Sequence, residues 1–511
     1  MTDFPWLTTL LVVPALGAVV VALLPSGFAR AREVALGFSL LTLALTIVVV
    51  TRFDLTGADG GYQLAQTYSW IPQFGVSFAL GVDGIALSMI VLGAVLVPVC
   101  LLAAWDDVPA EGRRQQSYFA WMLVLEAFMI GVFAATDVFL FYVFFEAMLI
   151  PVYFLIGQFG GRGRGRAATT FLIYSLFGGL IMLVAVIALY LLGPGGPDGF
   201  LIQSLTGLGI GGSTEALLFL GFFIAFAIKA PMWPVHTWLP LAASEARPAT
   251  SVLLVGVLDK VGTFGMIRFC LQLFPEASQW ATPFVMVLAV ASIVIGALLA
   301  IGQRDMMRLI AYTSVSHFGF IVLGIFAMTT VSQTGATLYM VNHGFTTAAL
   351  FLIAGMLIAR RGSRDIADYG GWQRVTPLIA GSLLVAGLSG LALPGMNSFV
   401  SEFMVIVGTF QRYPVAAVLA TAGVILAALY ILLWYQKVAT GPAPHTLAEP
   451  AADMNLREKF VVAPLIAAFV VLGFYPKPVI DLLEPAVRTT LETVGVSDPV
   501  PSGTAEQGGE G

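Results

Sequence analysis

Charge and cysteine are what this 511-residue chain has little of. Asp, Glu, Lys and Arg make up 10% of it, against roughly a quarter in soluble domains, while 59% is hydrophobic and the mean hydropathy is +0.93. A soluble globular domain is excluded. The two cysteines, Cys100 and Cys270, stand far apart inside apolar segments, so neither a disulfide framework nor a cysteine cluster for zinc or iron–sulfur is expected. The chain is expected to bind no cofactor and no metal, and no nucleic acid. The glycine-rich run from Gly160 to Gly165 lacks the Lys-Ser/Thr ending and preceding strand of a phosphate loop, and reads as a basic cytoplasmic turn.

What is present is apolar blocks of about 16–25 residues, enough at about 1.5 Å per residue to cross a hydrocarbon layer of roughly 30 Å. The expected fold is all-α and polytopic, with about fourteen transmembrane helices, at 6–25, 33–51, 79–104, 117–134, 137–157, 168–192, 214–238, 247–273, 282–301, 308–328, 335–358, 377–411, 414–437 and 460–475. The first block follows an acidic start free of Lys and Arg, which fits a retained span better than a cleaved signal. Residues 193–212 read as a glycine-rich loop. Residues 479–494, with Leu483, Val487, Leu491 and Val494 on one helical face, predict a helix lying in the interface, and residues 495–511 a disordered tail.

Placement of Lys and Arg tests the count, because cations gather in cytoplasmic loops. With the N-terminus outside, seventeen of the 24 fall in inner loops, including Arg162, Arg164, Arg166, Arg360 and Arg361, and five fall on the outer side, among them Arg52, Arg268 and Arg412. Lys229 and Lys260 lie within spans. Both termini are therefore expected outside, in a bacterial plasma membrane.

Ionisable residues inside spans are costly unless paired or hydrated, and are functional by default. They are Glu126, Glu146, Lys229, Asp259, Lys260, His317, His343 and Glu402. Glu126, Glu146, His317 and His343 lie about eight or nine residues into their spans, roughly 12–14 Å at helical rise, and both lysines lie near mid-membrane too. Groups at one depth on separate helices favour a row running sideways, able to relay protons. Asp259 precedes Lys260 directly, so it points about 100° away and need not be its partner. His236 and His445 are read as structural, and the aromatic residues as packing or lipid-facing.

Pro231 and Pro234 break the helix beside Lys229, and Leu393-Pro394-Gly395 predicts a second break two turns before Glu402. Irregular backbone at mid-membrane belongs beside a cavity, so two cavities are expected. The breaks fall in spans seven and twelve. An odd offset of five reverses direction through the bilayer and predicts an inverted repeat. The expected organisation is helices 1–3 (1–104), a first repeat (117–273), a second repeat (282–437), and a final helix with its interfacial helix (460–494).

The stretch Lys229-Ala-Pro-Met-Trp-Pro-Val-His236-Thr-Trp238-Leu-Pro240, with 243–250 ahead of Lys260, resembles the proton-translocating antiporter-like subunits of NADH:quinone oxidoreductase, respiratory complex I. These share ancestry with Mrp-type cation/proton antiporters and membrane-bound hydrogenases. The resemblance implies that Glu146 pairs with Lys229, that Lys260 bridges, that His317 and His343 follow, and that Glu402 opens outward. Glu402, in Asn397-Ser-Phe-Val-Ser-Glu402, matches the M branch of the family, where L and N carry lysine. It further implies proton pumping driven by redox chemistry elsewhere, with FMN, iron–sulfur clusters and NADH in partner subunits, and with L and N subunits and lipids as neighbours. An Mrp-type antiporter or hydrogenase subunit is the alternative within the family. A haem-bearing oxidase subunit using His317 and His343, or a plain scaffold, would be the alternatives outside it.

Overall fold

The structure is a computed structural model that describes residues 4–26, 28, 30–55, 61–109, 112–442 and 451–499. His445 and residues 500–511 of the expected tail lie outside the described residues.

The order of elements is α1 (Trp6–Leu23), α2 (Ala31–Arg52), β1 (Gln63–Ile71), β2 (Val76–Val82), α3 (Gly84–Ala103), α4 (Arg114–Ala134), α5 (Val138–Phe159), α6 (Arg164–Leu192), α7 (Gly212–Lys229) and α8 (Trp238–Glu245). There follow α9 (Pro248–Leu271), α10 (Pro275–Ile301), α11 (Met306–Phe326), α12 (Thr330–Arg361), α13 (Pro377–Gly390), α14 (Asn397–Phe410), α15 (Pro414–Ala439), α16 (Leu456–Phe474) and α17 (Lys477–Val494). Twelve of these helices are long and apolar enough to cross a membrane.

The two other expected spans are present in forms that length and composition alone undercount. One is the pair α13 and α14, two 14-residue halves of a broken helix. The other is α16, whose first turn carries Arg457, Glu458 and Lys459 and which passes only together with α17, bent from it by 71°. The amphipathic face of α17, with Leu483, Val487 and Leu491 buried, packs on α3 and α12.

One feature departs from an all-helical chain among the described residues. β1 and β2 form an antiparallel hairpin, so the expected third span begins at Gly84 and not at 79. Asp83 closes the hairpin by capping α3 through the amide of Ala86.

The helices sort by what surrounds them. α9 is wholly buried, α11 is 94% and α12 89% buried, whereas α1, α2 and α15 are at most about a third buried. A rim of lipid-facing helices therefore encloses a protein-lined centre. That centre holds the polar residues, as the cost of unsatisfied polar groups in hydrocarbon requires.

Arg268 does not sit in an outer loop. It lies inside α9, buried, and its Nη2 meets Asp83 Oδ2 at 2.6 Å while the guanidinium stacks 5.0 Å from the Tyr62 ring. A buried arginine so paired is a strut between the hairpin, α3 and α9. The Gly160–Gly165 turn is also explained by packing: the Gly161 amide donates to the Glu245 carbonyl at 2.7 Å and the Gly163 amide to Glu245 Oε2 at 2.8 Å. The turn clasps the end of α8.

Candidate functional site

Lys229 is the last residue of α7. The two prolines behind it free backbone groups, and side chains meet them: Trp238 Nε1 donates to the Ile228 carbonyl at 2.9 Å, and Ser292 Oγ accepts from the Trp233 amide at 3.2 Å. The second break is treated likewise. Asn342 Nδ2 donates to the Asn397 carbonyl at 2.8 Å, and Ser389 Oγ to Asn397 Oδ1 at 2.6 Å. Protein side chains thus meet part of the polar backbone at each break.

Lys229 is buried, with Nζ 4.6 Å from the Phe145 ring centroid and no hydrogen-bond partner among the described residues. Glu146 Oε1 is likewise unpartnered. The ion pair implied by resemblance is not closed in this structure, although each residue lies within electrostatic reach of the other. A helix irregularity at Met148 and a glycine opposite fix where Glu146 sits: a Cβ on Gly179 would fall 1.6 Å from its Oε1.

Asp259 lies within electrostatic reach of both Lys229 and Lys260, with neither carboxylate oxygen hydrogen-bonded among the described residues. The backbone on either side of 259–265 is π-helical, at Leu254–Leu258 and Met266–Leu271. Such π segments recur at functional sites.

The same widening leaves the Val255 carbonyl, five residues back, to accept from Lys260 Nζ at 2.6 Å. The ammonium also reaches His343 Nδ1 at 2.6 Å across to α12. With Lys260 as an ammonium, which can only donate, Nδ1 accepts and the ring proton sits on Nε2, 3.1 Å from Thr347 Oγ1. Close approach of α9 and α12 makes the contact possible, since a Cβ on Gly344 would meet the Gly256 carbonyl at 3.0 Å.

From His343 the row turns to His317, with ring centroids 5.3 Å apart at 83°. In space His343 therefore precedes His317, the reverse of their chain order. His317 Nε2 lies 3.3 Å from the Tyr430 hydroxyl, and its ring 5.7 Å from Tyr339. Tyr339 donates to Glu402 Oε2 at 2.9 Å. The two tyrosines thus bridge His317 to Glu402, against the reading of the aromatics as packing alone. For Tyr339 one signal was present in the sequence: Tyr339, His343 and Thr347 recur every four residues, a polar stripe along one face of α12.

Glu126 is not brought into this line. It is buried on α4 against Met89, Ile90 and Gly93 of α3, with neither oxygen partnered. His236, expected within reach of water, is 4% exposed and lies beside Tyr312.

A helical fold closed around a buried set of titratable groups, with broken helices beside it, is that of an antiporter-type membrane protein. Residues 135–429 match the family model described as NADH:quinone oxidoreductase/Mrp antiporter, transmembrane. NADH-quinone oxidoreductase subunit M of Mycobacterium tuberculosis H37Rv is 51% identical, over 98% of this chain and 97% of the relative. The subunit M of Escherichia coli K12 is 39% identical, over 88% and 91%. Among solved structures, a chain of respiratory complex I from Thermus thermophilus with bound NADH is 31% identical with a TM-score of 0.86, covering 96% of this chain and all of that one. A chain of the Mrp complex from Dietzia sp. DQ12-45-1b has a TM-score of 0.85 at 22% identity, over 97% of this chain and 100% of that one, a likeness of fold alone. The chain belongs to the NADH-quinone oxidoreductase subunit M family.

Proposed function

We propose that this chain is a proton-translocating membrane subunit of an NADH:quinone oxidoreductase, and that Glu146, Lys229, Asp259, Lys260, His343, His317 and Glu402 carry the proton sideways in that order. The direct contact between Lys260 and His343 across two helices carries this reading, because it joins the lysine half of the line to the histidine half. The ammonium of Lys229 is held by the field of Glu146, and weakening that field favours release toward Lys260. Glu402, reached through Tyr339 and Tyr430, is the outward acceptor.

Redox chemistry belongs to partner subunits that hold FMN, iron–sulfur clusters and the NADH site, with none in this chain. L-type and N-type subunits and lipids are its neighbours, the membrane is a bacterial plasma membrane, and both termini face outward. The inverted halves are α4 to α9 and α10 to α15, each with one broken helix, α7/α8 and α13/α14. Likeness to relatives named subunit M favours this reading over an Mrp antiporter, as does glutamate at 402.

Replacement of Glu146 by alanine tests it: pumping coupled to quinone reduction should be largely lost in the assembled complex, and Glu146→Asp should keep part. Full coupled pumping in Glu146→Ala, or co-purification without any quinone-reducing partner, would count against the proposal.

A further inference from the structure

Where α1 and α4 pack side by side they leave an outward-facing groove of about 600 Å³, walled by Ala15, Ala18 and Ala22 on one side and Ala120, Val124 and Ala127 on the other. Small side chains on both helices make it deep. One end is polar, formed by Arg113, Gln116 and Ser117. Arg114 beside it donates to the Gln158 carbonyl, which puts that end on the same side as the arginine-rich turn at Gly160–Arg166.

Two features of this end ask for a ligand. The Arg113 side chain is exposed and makes no ion pair or hydrogen bond among the described residues. Gln116 is 3% exposed, and its Nε2 donates to the Pro25 carbonyl at 3.0 Å, which fixes the amide orientation and leaves Oε1 buried without a donor.

The volume suits acyl chains. From Arg113 to Phe128 the groove runs fifteen residues along α4, about 22 Å. Hydrocarbon chains that pack at carbon contacts of about 4 Å are about 4–5 Å across, so one or two of them fill roughly 350–700 Å³ over the same length.

We infer that the groove between α1 and α4 binds an anionic phospholipid, its phosphate on Arg113 and its acyl chains along the alanine walls. Basic pockets between spans on the arginine-rich side are suited to such headgroups. A phosphatidylglycerol headgroup brings the net negative charge that the guanidinium pairs with, and a zwitterionic choline headgroup carries its own cation in competition.

The assembled complex, reconstituted in bilayers mixing phosphatidylglycerol and phosphatidylcholine and re-extracted in mild detergent, is assayed by mass spectrometry for retained lipid. Wild type should retain phosphatidylglycerol in preference to phosphatidylcholine. Arg113→Gln should lower that retention about fivefold, the effect of one arginine near a charged headgroup. Ala22→Trp, at an exposed position on the wall, should lower retention of both lipids, and Arg162→Gln, off the groove, should change nothing. Equal retention in wild type and Arg113→Gln overturns the proposal. So does a photo-crosslinker at position 22 that captures a neighbouring subunit and no lipid.

Discussion

Replacing His343 separates relay from packing better than any other change in the row. Lys260 Nζ donates to two acceptors at 2.6 Å, the Val255 carbonyl and His343 Nδ1. Glutamine keeps an acceptor oxygen but cannot take up a proton near neutral pH, so His343→Gln preserves the polar contact and removes the relay. Leucine removes both. A buried ammonium that loses a charge-assisted hydrogen bond loses roughly 1.5–3 kcal/mol, about a ten- to hundredfold shift between its charged and neutral populations.

NADH-driven proton uptake by inside-out membrane vesicles, scaled to the content of assembled complex, reads both variants. His343→Gln should pump far more slowly, because the ring that takes up and passes on the proton is gone, with complex content near wild type. His343→Leu should be as slow and also reduce complex content. Pumping at the wild-type rate in His343→Gln would refute the relay and leave His343 as a packing residue.

The tyrosines are tested by Tyr339→Phe alone and with Tyr430→Phe, which keep the rings and remove hydroxyls from Glu402 and His317. Assembly should hold and pumping should fall several-fold, further in the double variant; unchanged pumping in the double variant removes both from the path. Arg268→Leu strands Asp83 as a buried carboxylate, a cost of roughly 3–5 kcal/mol. The amount of subunit in assembled complex, seen on native gels, should drop sharply and recover in part when Asp83→Asn is added; equal amounts in all three would contradict the strut. For topology, single cysteines in the Arg162–Arg166 turn should label only from the cytoplasm and one at Gly195 only from outside, and labelling of both from one side would break the fourteen-span arrangement.

The membrane fold was legible because its signal is long and redundant: apolar runs, alternating cation-rich loops, and prolines at Pro231, Pro234 and Pro394. Most of the proposed row was legible for a related reason, since Glu146, Lys229 and Glu402 each stand alone in an apolar stretch and Asp259 and Lys260 stand there as a pair. What the sequence hid depends on backbone irregularity and on space between helices. The carbonyl of Val255 is left to accept from Lys260 by the π-helical backbone at Leu254–Leu258, and no residue pattern announces a π segment. The order of His317 and His343 depends on how α11 and α12 cross, which chain order does not contain. Tyr339 and Tyr430 were lost among the other aromatics, whose rings do pack; only their hydroxyls distinguish them. The β1–β2 hairpin was missed because β2 runs directly into the apolar sequence of α3, so its last residues read as the start of a span.

Glu402 gives the most direct measurement of whether this buried line carries protons. The acceptor at the outward end needs a titratable group, and glutamine keeps the size and hydrogen bonding of glutamate without one. Lysine can titrate, and its side chain is long enough to reach the same exit. With assembly confirmed, coupled pumping per quinone reduced should therefore be strongly reduced in Glu402→Gln, with Glu402→Lys retaining more. Full pumping in both variants would contradict the account and show that Glu402 only packs against Tyr339 while the proton leaves elsewhere.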